Sequence, residues 1–359
     1  MGPLSGAGRS SELFLSPTSI ASHRIGMGQN TNTKTAALGI GWTVADIPSQ
    51  AGRRALITGA NSGIGYYAAL ELARHGGHVL LGCRDQGRGE AALARLRAEV
   101  PDAKAEVVLL DLASLASVQS FVQAELARGV PLDLLINNAG VYAPKKRLET
   151  SDGFEIQFGT NVLGHFALTG SLLPALKRAV ASQAQRPRVV TVASIAHKRG
   201  RLNFDDLQAK SSYSPSGSYS QSKLADLMFS FELARRLRAA PAPASGAMSV
   251  AAHPGVANTN LFLVGELPAI ERRVRQASSV VIGALLNTEA QGALPTLFAA
   301  TAAEAADGGY YGPQGWLEMR GGDVGAAKVA PQALDQPAAA RLWSECERLT
   351  GVWFRLNLF

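Results

Sequence analysis

From Arg54 onward the chain repeats one pattern, a short run of Val, Leu and Ile followed by a longer amphipathic stretch. "RALIT" leads into "IGYYAALELARHG", "HVLLGC" into "GEAALARLRAEV", and "AEVVLLDL" into "LASVQSFVQAELARG". "LDLLINNAG", "RPRVVTVAS" and "AMSVAAHPG" continue the series. Apolar runs that do not alternate with polar residues belong to strands covered on both faces, and such strands build parallel sheets. Joining parallel neighbours requires a crossover, and a right-handed helical crossover after each strand gives a doubly wound sheet. The fold class expected is therefore α/β, a parallel sheet with helices on both faces, with no internal repeat and no second domain. "GGYYGP" reads as a last strand and turn, and "PAAARLWSECERLTGV" as a closing helix stopped by Gly351.

A chain of 359 residues, 47% hydrophobic and 18% charged, can bury a core of the size this fold needs. The net charge of +7 is modest for that length, and aromatic residues make up only 6%, so neither a basic stripe nor a base-stacking platform for nucleic acid is present. Cys83 and Cys346 form no metal-type spacing and no disulfide framework, which places the chain in a reducing compartment, the cytoplasm being the simplest. The longest uncharged run, 239–265, is interrupted by Pro241, Pro243 and Pro254 and cannot span a membrane. Residues 1–42 are rich in Ser, Gly, Thr and Asn and read as a disordered leader, with organellar import through it left open; 43–359 form the folded domain.

"ITGANSGIG" places Gly59, Gly63 and Gly65 between the first strand and the first helix. Glycine allows the tight turn and close backbone approach to a pyrophosphate, which the free N–H groups of a helix start would bind. That context, strand before and helix after, makes the sheet Rossmann-type and adds Asn61, Ser62 and Ile64 to the expected cofactor contacts. In such folds an acidic residue after the second strand binds the ribose 2′-hydroxyl of NAD. Here Arg84 follows Cys83, and Asp85 falls one place later. A guanidinium suits a 2′-phosphate, so the expected cofactor is NADP(H). Arg88 reads as a solvated helix charge. Asp111 and Leu112 after the third strand, and Asn138, Ala139 and Gly140 after the fourth, lie at strand carboxyl ends where these sheets bind ligands.

"TGANSGIG", "NNAG", "TNVLGHF", "VVTVAS", "YSQSK" and "HPGVANT" together resemble, in order and spacing, the short-chain dehydrogenase/reductase family, over about residues 42–350. The long interval between Ser194 and Tyr219 is similar to the retinol-dehydrogenase-like branch, which includes proteins similar to protochlorophyllide reductase. The resemblance implies a catalytic group of Asn161, Ser194, Tyr219 and Lys223. Tyr219 would be the acid/base, Ser194 would bond the substrate oxygen, Lys223 would hold the nicotinamide ribose and acidify the tyrosine, and Asn161 would hold a water. Pro254 and Gly255 would complete the cofactor site, residues 257–285 would form a substrate lid, and Ala193 stands where many relatives carry a second serine. No metal is expected.

The residues support the same roles. A phenol titrates near 10, so proton exchange at neutral pH asks for a drop of about 3 units, on the order of 4 kcal/mol. A lysine one helical turn away, at Lys223, is placed to supply part of it. Tyr142 and Lys146 share the spacing, but Pro144 breaks any helix between them, and 145–147 and 197–201 read as basic surface loops. His165 reads as a helix residue near the substrate entrance. The function expected is hydride transfer to an aldehyde or ketone, or from the matching alcohol, of a small apolar substrate. A silent NADP-binding sensor and a C=C reductase are the alternatives. Apolar faces around 155–180 and 219–238 suit either a homo-oligomer interface or packing on the sheet.

Overall fold

The computed structural model describes residues 2, 41–142, 145–182, 185–256 and 287–356. The lid expected at 257–285 lies outside the described residues, as does nearly all of the 1–42 leader. Eight strands form one sheet: β1 (Arg54–Thr58), β2 (His78–Cys83), β3 (Ala105–Leu109), β4 (Leu134–Asn137), β5 (Arg188–Val192), β6 (Met248–Ala252), β7 (Tyr310–Pro313) and β8 (Val324–Ala326). Their order is β3-β2-β1-β4-β5-β6-β7-β8. The pairs from β3 to β7 are parallel, with Leu56 of β1 set against Leu80 on one side and Leu135 on the other. β8 runs antiparallel to β7, pairing Ala326 with Tyr311. The sequence pattern ends the sheet at β7, because three residues reading "VGA" carry no hydrophobic run.

Strand side chains alternate in direction, so each strand divides its apolar residues between two cores. Leu56, Leu80, Leu135 and Val189 enter one, while Ile57, Leu81, Ile136 and Val190 enter the other. The first core is covered by α3 (Leu115–Ala127), α4 (Gly164–Ser182), α5 (Pro215–Ala239) and α7 (Gln336–Thr350). The second lies under α1 (Gly63–Arg74), α2 (Gln86–Glu99) and α6 (Glu289–Thr301). Full burial of a Leu or Ile side chain contributes about 1.5–3 kcal/mol, so continuous apolar strands stabilise both layers at once. The apolar faces of α4 and α5 are thus used within this chain, by Leu168, Leu172, Leu224 and Leu227. Gly351 ends α7 in the left-handed conformation, φ 68°, as the sequence predicts.

The two ends of the sheet differ in chemistry. At the amino end of β1, Arg54 pairs with Glu125 of α3 through both guanidinium nitrogens, and its backbone N–H donates to Asp133 at 2.8 Å. Those charges are internally matched and hold the sheet to α3. At the carboxyl ends the strand order reverses between β1 and β4, leaving a crevice where neighbouring crossovers diverge to opposite faces.

Candidate active site

That crevice opens into a cleft of about 1320 Å³ lined from the ends of β1, β2, β4 and β5. Pockets for a single small ligand span roughly 300–1,000 Å³, so there is room for a dinucleotide and a second molecule. Every residue nominated from the sequence faces it except Asn161.

The glycine turn is shaped by close contacts. Gly59 and Gly63 adopt φ of 67° and 58°, a left-handed conformation that favours glycine. A Cβ on Gly65 would lie 2.6 Å from the Gly59 carbonyl oxygen and collide with the Asn138 amide. That amide donates to Thr58 O at 2.8 Å, while Thr58 Oγ1 accepts from the backbone N–H groups of Asn138 and Ala139, each at 2.9 Å. The ends of β1 and β4 are thereby locked together. Ser62 precedes α1 without a side-chain cap, which leaves the N–H groups of the first turn for an anion. This cradle fits the pyrophosphate of a dinucleotide.

Beyond β2, Arg84 is exposed at the cleft, and Arg88 lines it as well. Asp85 is exposed at the cleft too, with one carboxylate oxygen capping α2 by accepting from Arg88 N at 2.8 Å. Arg95 also reaches the cleft but lies over the Tyr66 ring, 4.0 Å from its centre. Asp111 accepts from Ala113 N at 2.9 Å, shaping the turn after β3 while remaining at the cleft wall.

On the other side of the glycine turn, α5 brings Tyr219 and Lys223 into the cleft, where Ser194 at the end of β5 faces the Tyr219 phenol closely enough to favour its ionisation. Lys223 Nζ donates to Val192 O at 3.0 Å and to Asp226 Oδ2 at 2.9 Å. Asp226 was not singled out from sequence, although a lone acid one turn after Lys223 in "LADLMF" is the signal that marks it. Burial pulls the Lys223 ammonium down, yet Asp226 and Tyr219 together hold it above its ordinary value. The phenol departs from expectation. Burial pushes Tyr219 above its ordinary value, Lys223 and Ser194 oppose this without prevailing, and Asp226 and Tyr142 add to it. The phenol thus lies above its ordinary value, with burial the largest cause.

Two other readings are corrected, and Asn161 is placed away from the cleft wall. Asn161 is fully buried in a π-helical turn, Phe158–Leu163, and its amide clamps the β4 loop. Its Oδ1 accepts from Val141 N at 2.8 Å, and its Nδ2 reaches Val141 O at 3.2 Å and Ser222 Oγ at 3.0 Å. The residue is buried and does not line the cleft. Tyr142, taken as part of a solvated loop, lines the cleft edge-on to Tyr219 with ring centres 5.3 Å apart. His165 lies behind the site: Nδ1 donates to Asn161 O at 2.8 Å, and Nε2 meets Thr58 Oγ1 at 2.9 Å. That arrangement needs a neutral ring, and burial lowers its pKa to about 3.

The basic segments are also less superficial than their composition suggests. In 197–201, His197 is fully buried and Lys198 is tied to Glu318 at 2.5 Å, while Arg199 stays exposed at the cleft. In 145–147, Lys145 and Lys146 are exposed, but Arg147 donates to Gln208 O at 3.0 Å. Among the described residues no cluster of acidic, histidine or cysteine side chains is arranged to hold a metal ion.

Comparison with known proteins agrees with this geometry. Residues 53–261 match the family described as short chain dehydrogenase. The chain is 38% identical to retinol dehydrogenase 14 of Homo sapiens, covering 84% of this chain and 87% of that protein. It is 40% identical to polyprenol dehydrogenase of Mus musculus, covering 85% and 86%. A crystal structure of an uncharacterized protein from Mycobacterium Paratuberculosis superposes with a TM-score of 0.68 at 41% identity, over 88% of this chain and 99% of that one. With a doubly wound sheet, a glycine cradle and a Ser–Tyr–Lys cluster in one cleft, the chain belongs to the short-chain dehydrogenase/reductase family of NAD(P)-binding oxidoreductases, in its retinol-dehydrogenase-like branch.

Proposed function

We propose that this protein is an NADP(H)-dependent oxidoreductase that interconverts an apolar aldehyde or ketone and its alcohol, with Tyr219 as the acid/base. The observation that carries this reading is the convergence of Ser194, Tyr219 and Lys223 in the cleft that also holds the glycine turn. Bound NADPH would supply the hydride. The chain's own residues do the rest. The cradle at Gly59–Gly65 holds the pyrophosphate, and the Ser194 hydroxyl holds the carbonyl oxygen in line with the phenol. Tyr219 donates its proton as negative charge grows on that oxygen, and Lys223 limits the cost of the phenolate left behind.

The preference for NADP(H) is supported by the division of work between Arg84 and Asp85. The guanidinium is exposed at the cleft directly after β2, whereas the Asp85 carboxylate follows one place later and has one oxygen engaged in capping α2. An apolar substrate is supported by two relatives named as retinol and polyprenol dehydrogenases. A cytoplasmic location is supported by two free, buried cysteines. No helix among the described residues is long and apolar enough to cross a membrane.

The test is turnover of NADPH with a panel of apolar carbonyl compounds by wild-type protein and Tyr219→Phe. Loss of the acid/base should cost roughly 10²–10⁴-fold in rate and leave NADPH binding unchanged. Equal rates in the two proteins, or no binding of NADPH, refute the reading. Tight NADPH binding without turnover on any substrate points instead to a silent binding protein.

A further inference from the structure

Lys223 is held from two sides before any ligand arrives. An ammonium has three N–H donors. One goes to Val192 O at the end of β5 and one to Asp226 Oδ2, leaving a single donor for the cleft that Lys223 lines. The pair is deeply buried, with side-chain exposures of 5% and 4%. Other groups around it are uncharged or contribute no cation. His165 faces Lys223 from α4 as a neutral ring, and Tyr142 and Ser194 face Tyr219 from the loops after β4 and β5. The Cys346 thiol faces Asp226 from α7, and burial first, then Glu345 and Asp226, push it up, so it stays protonated. Lys223 and Asp226 are therefore the charges that act on Tyr219 from within α5.

A buried carboxylate is costly, and burial raises Asp226 to about 6 even against Lys223. An amide would serve as well for a hydrogen bond to the ammonium. What the carboxylate adds is charge. We propose that Asp226 is a positioning residue of the proton-transfer centre, anchoring the Lys223 ammonium and offsetting its charge so that Tyr219 is biased toward the proton donor that carbonyl reduction requires. This rests on the acid/base reading of Tyr219 and gives it a direction, reduction favoured over oxidation. The raised phenol agrees with it, because Asp226 is one of the groups that oppose ionisation of Tyr219. The three groups titrate as a unit, so the observable is the apparent ionisation of the site.

The experiment is the pH dependence of kcat/KM at saturating cofactor in both directions, for wild type and Asp226→Asn. Reduction needs protonated Tyr219, so its rate is full at low pH and lost as the pH rises through the tyrosine ionisation; oxidation shows the opposite limb. Removing one buried charge should move both limbs to lower pH by about 1 unit. A uniform loss of rate with unmoved limbs would mean a structural role only and overturn the inference. If the limbs coincide with wild type while Tyr219→Phe is inactive, the inference falls and the proposed function stands. If Tyr219→Phe is as active as wild type, the function itself falls. Should Asp226→Asn not fold, Asp226→Ser removes the same charge with a smaller side chain and is read in the same way.

Discussion

Replacing Gly65 by alanine isolates the close approach on which cofactor binding is expected to depend. The new Cβ would lie 2.6 Å from the Gly59 carbonyl oxygen and against the Asn138 amide, one backbone and one held side chain. The amide must leave its 2.8 Å bond to Thr58 O, which removes about 1 kcal/mol. The carbonyl cannot rotate away, and overpacking of this kind costs about 1–3 kcal/mol. The sum, about 2–4 kcal/mol, corresponds to a fall in Tm of roughly 3–5 °C for a chain of this size. Displacing the same turn from the pyrophosphate should raise the Kd for NADPH tenfold for each ~1.4 kcal/mol of lost contact. Gly87, across the cleft in α2, is the control. Its added Cβ meets only Asp85 Oδ1 at 3.5 Å, an ordinary contact, so Gly87→Ala should stabilise by about 0.5–1 kcal/mol. Differential scanning calorimetry and NADPH fluorescence titration read both. If Gly65→Ala melts and binds like wild type, the cradle is not built as described.

Arg84→Ala should weaken NADPH binding by roughly ten- to a hundredfold, the value of a charge-assisted hydrogen bond, and leave NADH nearly unchanged; equal losses would refute the 2′-phosphate contact. Glu125→Gln leaves Arg54 without its principal partner and should cost about 3 kcal/mol in urea unfolding, with Glu106 at 3.5 Å offsetting part of the loss. Because that pair sits at the amino end of β1, kcat should not change, and a loss of activity in folded protein would contradict the placement. His165 and His253 are both lowered to about 3 by burial, against about 6.5 when unfolded. The unfolded chain then binds protons that the folded one does not, so their contribution is complete above about pH 6.5 and declines as the pH falls toward the folded values. At pH 5.5 each should cost about 1.4 kcal/mol, seen as a falling Tm between pH 7 and 5; a flat Tm through that interval would count against burial of both rings.

Much of the site was legible because its signals are local. Tyr219 and Lys223 share a helical face by spacing, and Gly59, Gly63 and Gly65 mark a turn that few other residues could make. The same locality misled elsewhere. Tyr142 looked like a loop residue because no helix carries it, yet the fold turns its ring onto Tyr219. Asn161 looked like a cleft residue by resemblance, yet it is buried away from the cleft wall with its amide bonded to Val141 and Ser222. His197 looked like one of several surface charges, and tertiary packing buried it beside Tyr310, ring centres 5.4 Å apart.

Sequence periodicity alone determined the parallel sheet, its two helical layers and the glycine turn, because strand and helix repeats depend on neighbours along the chain. Tertiary structure alone decided that Ser194 faces Tyr219, that the Tyr142 ring turns onto it, and that Lys223 and Asp226 share a desolvated space. Proton affinity depends on which charges share a desolvated space, and only folding puts Ser194, Tyr142 and Asp226 around one phenol.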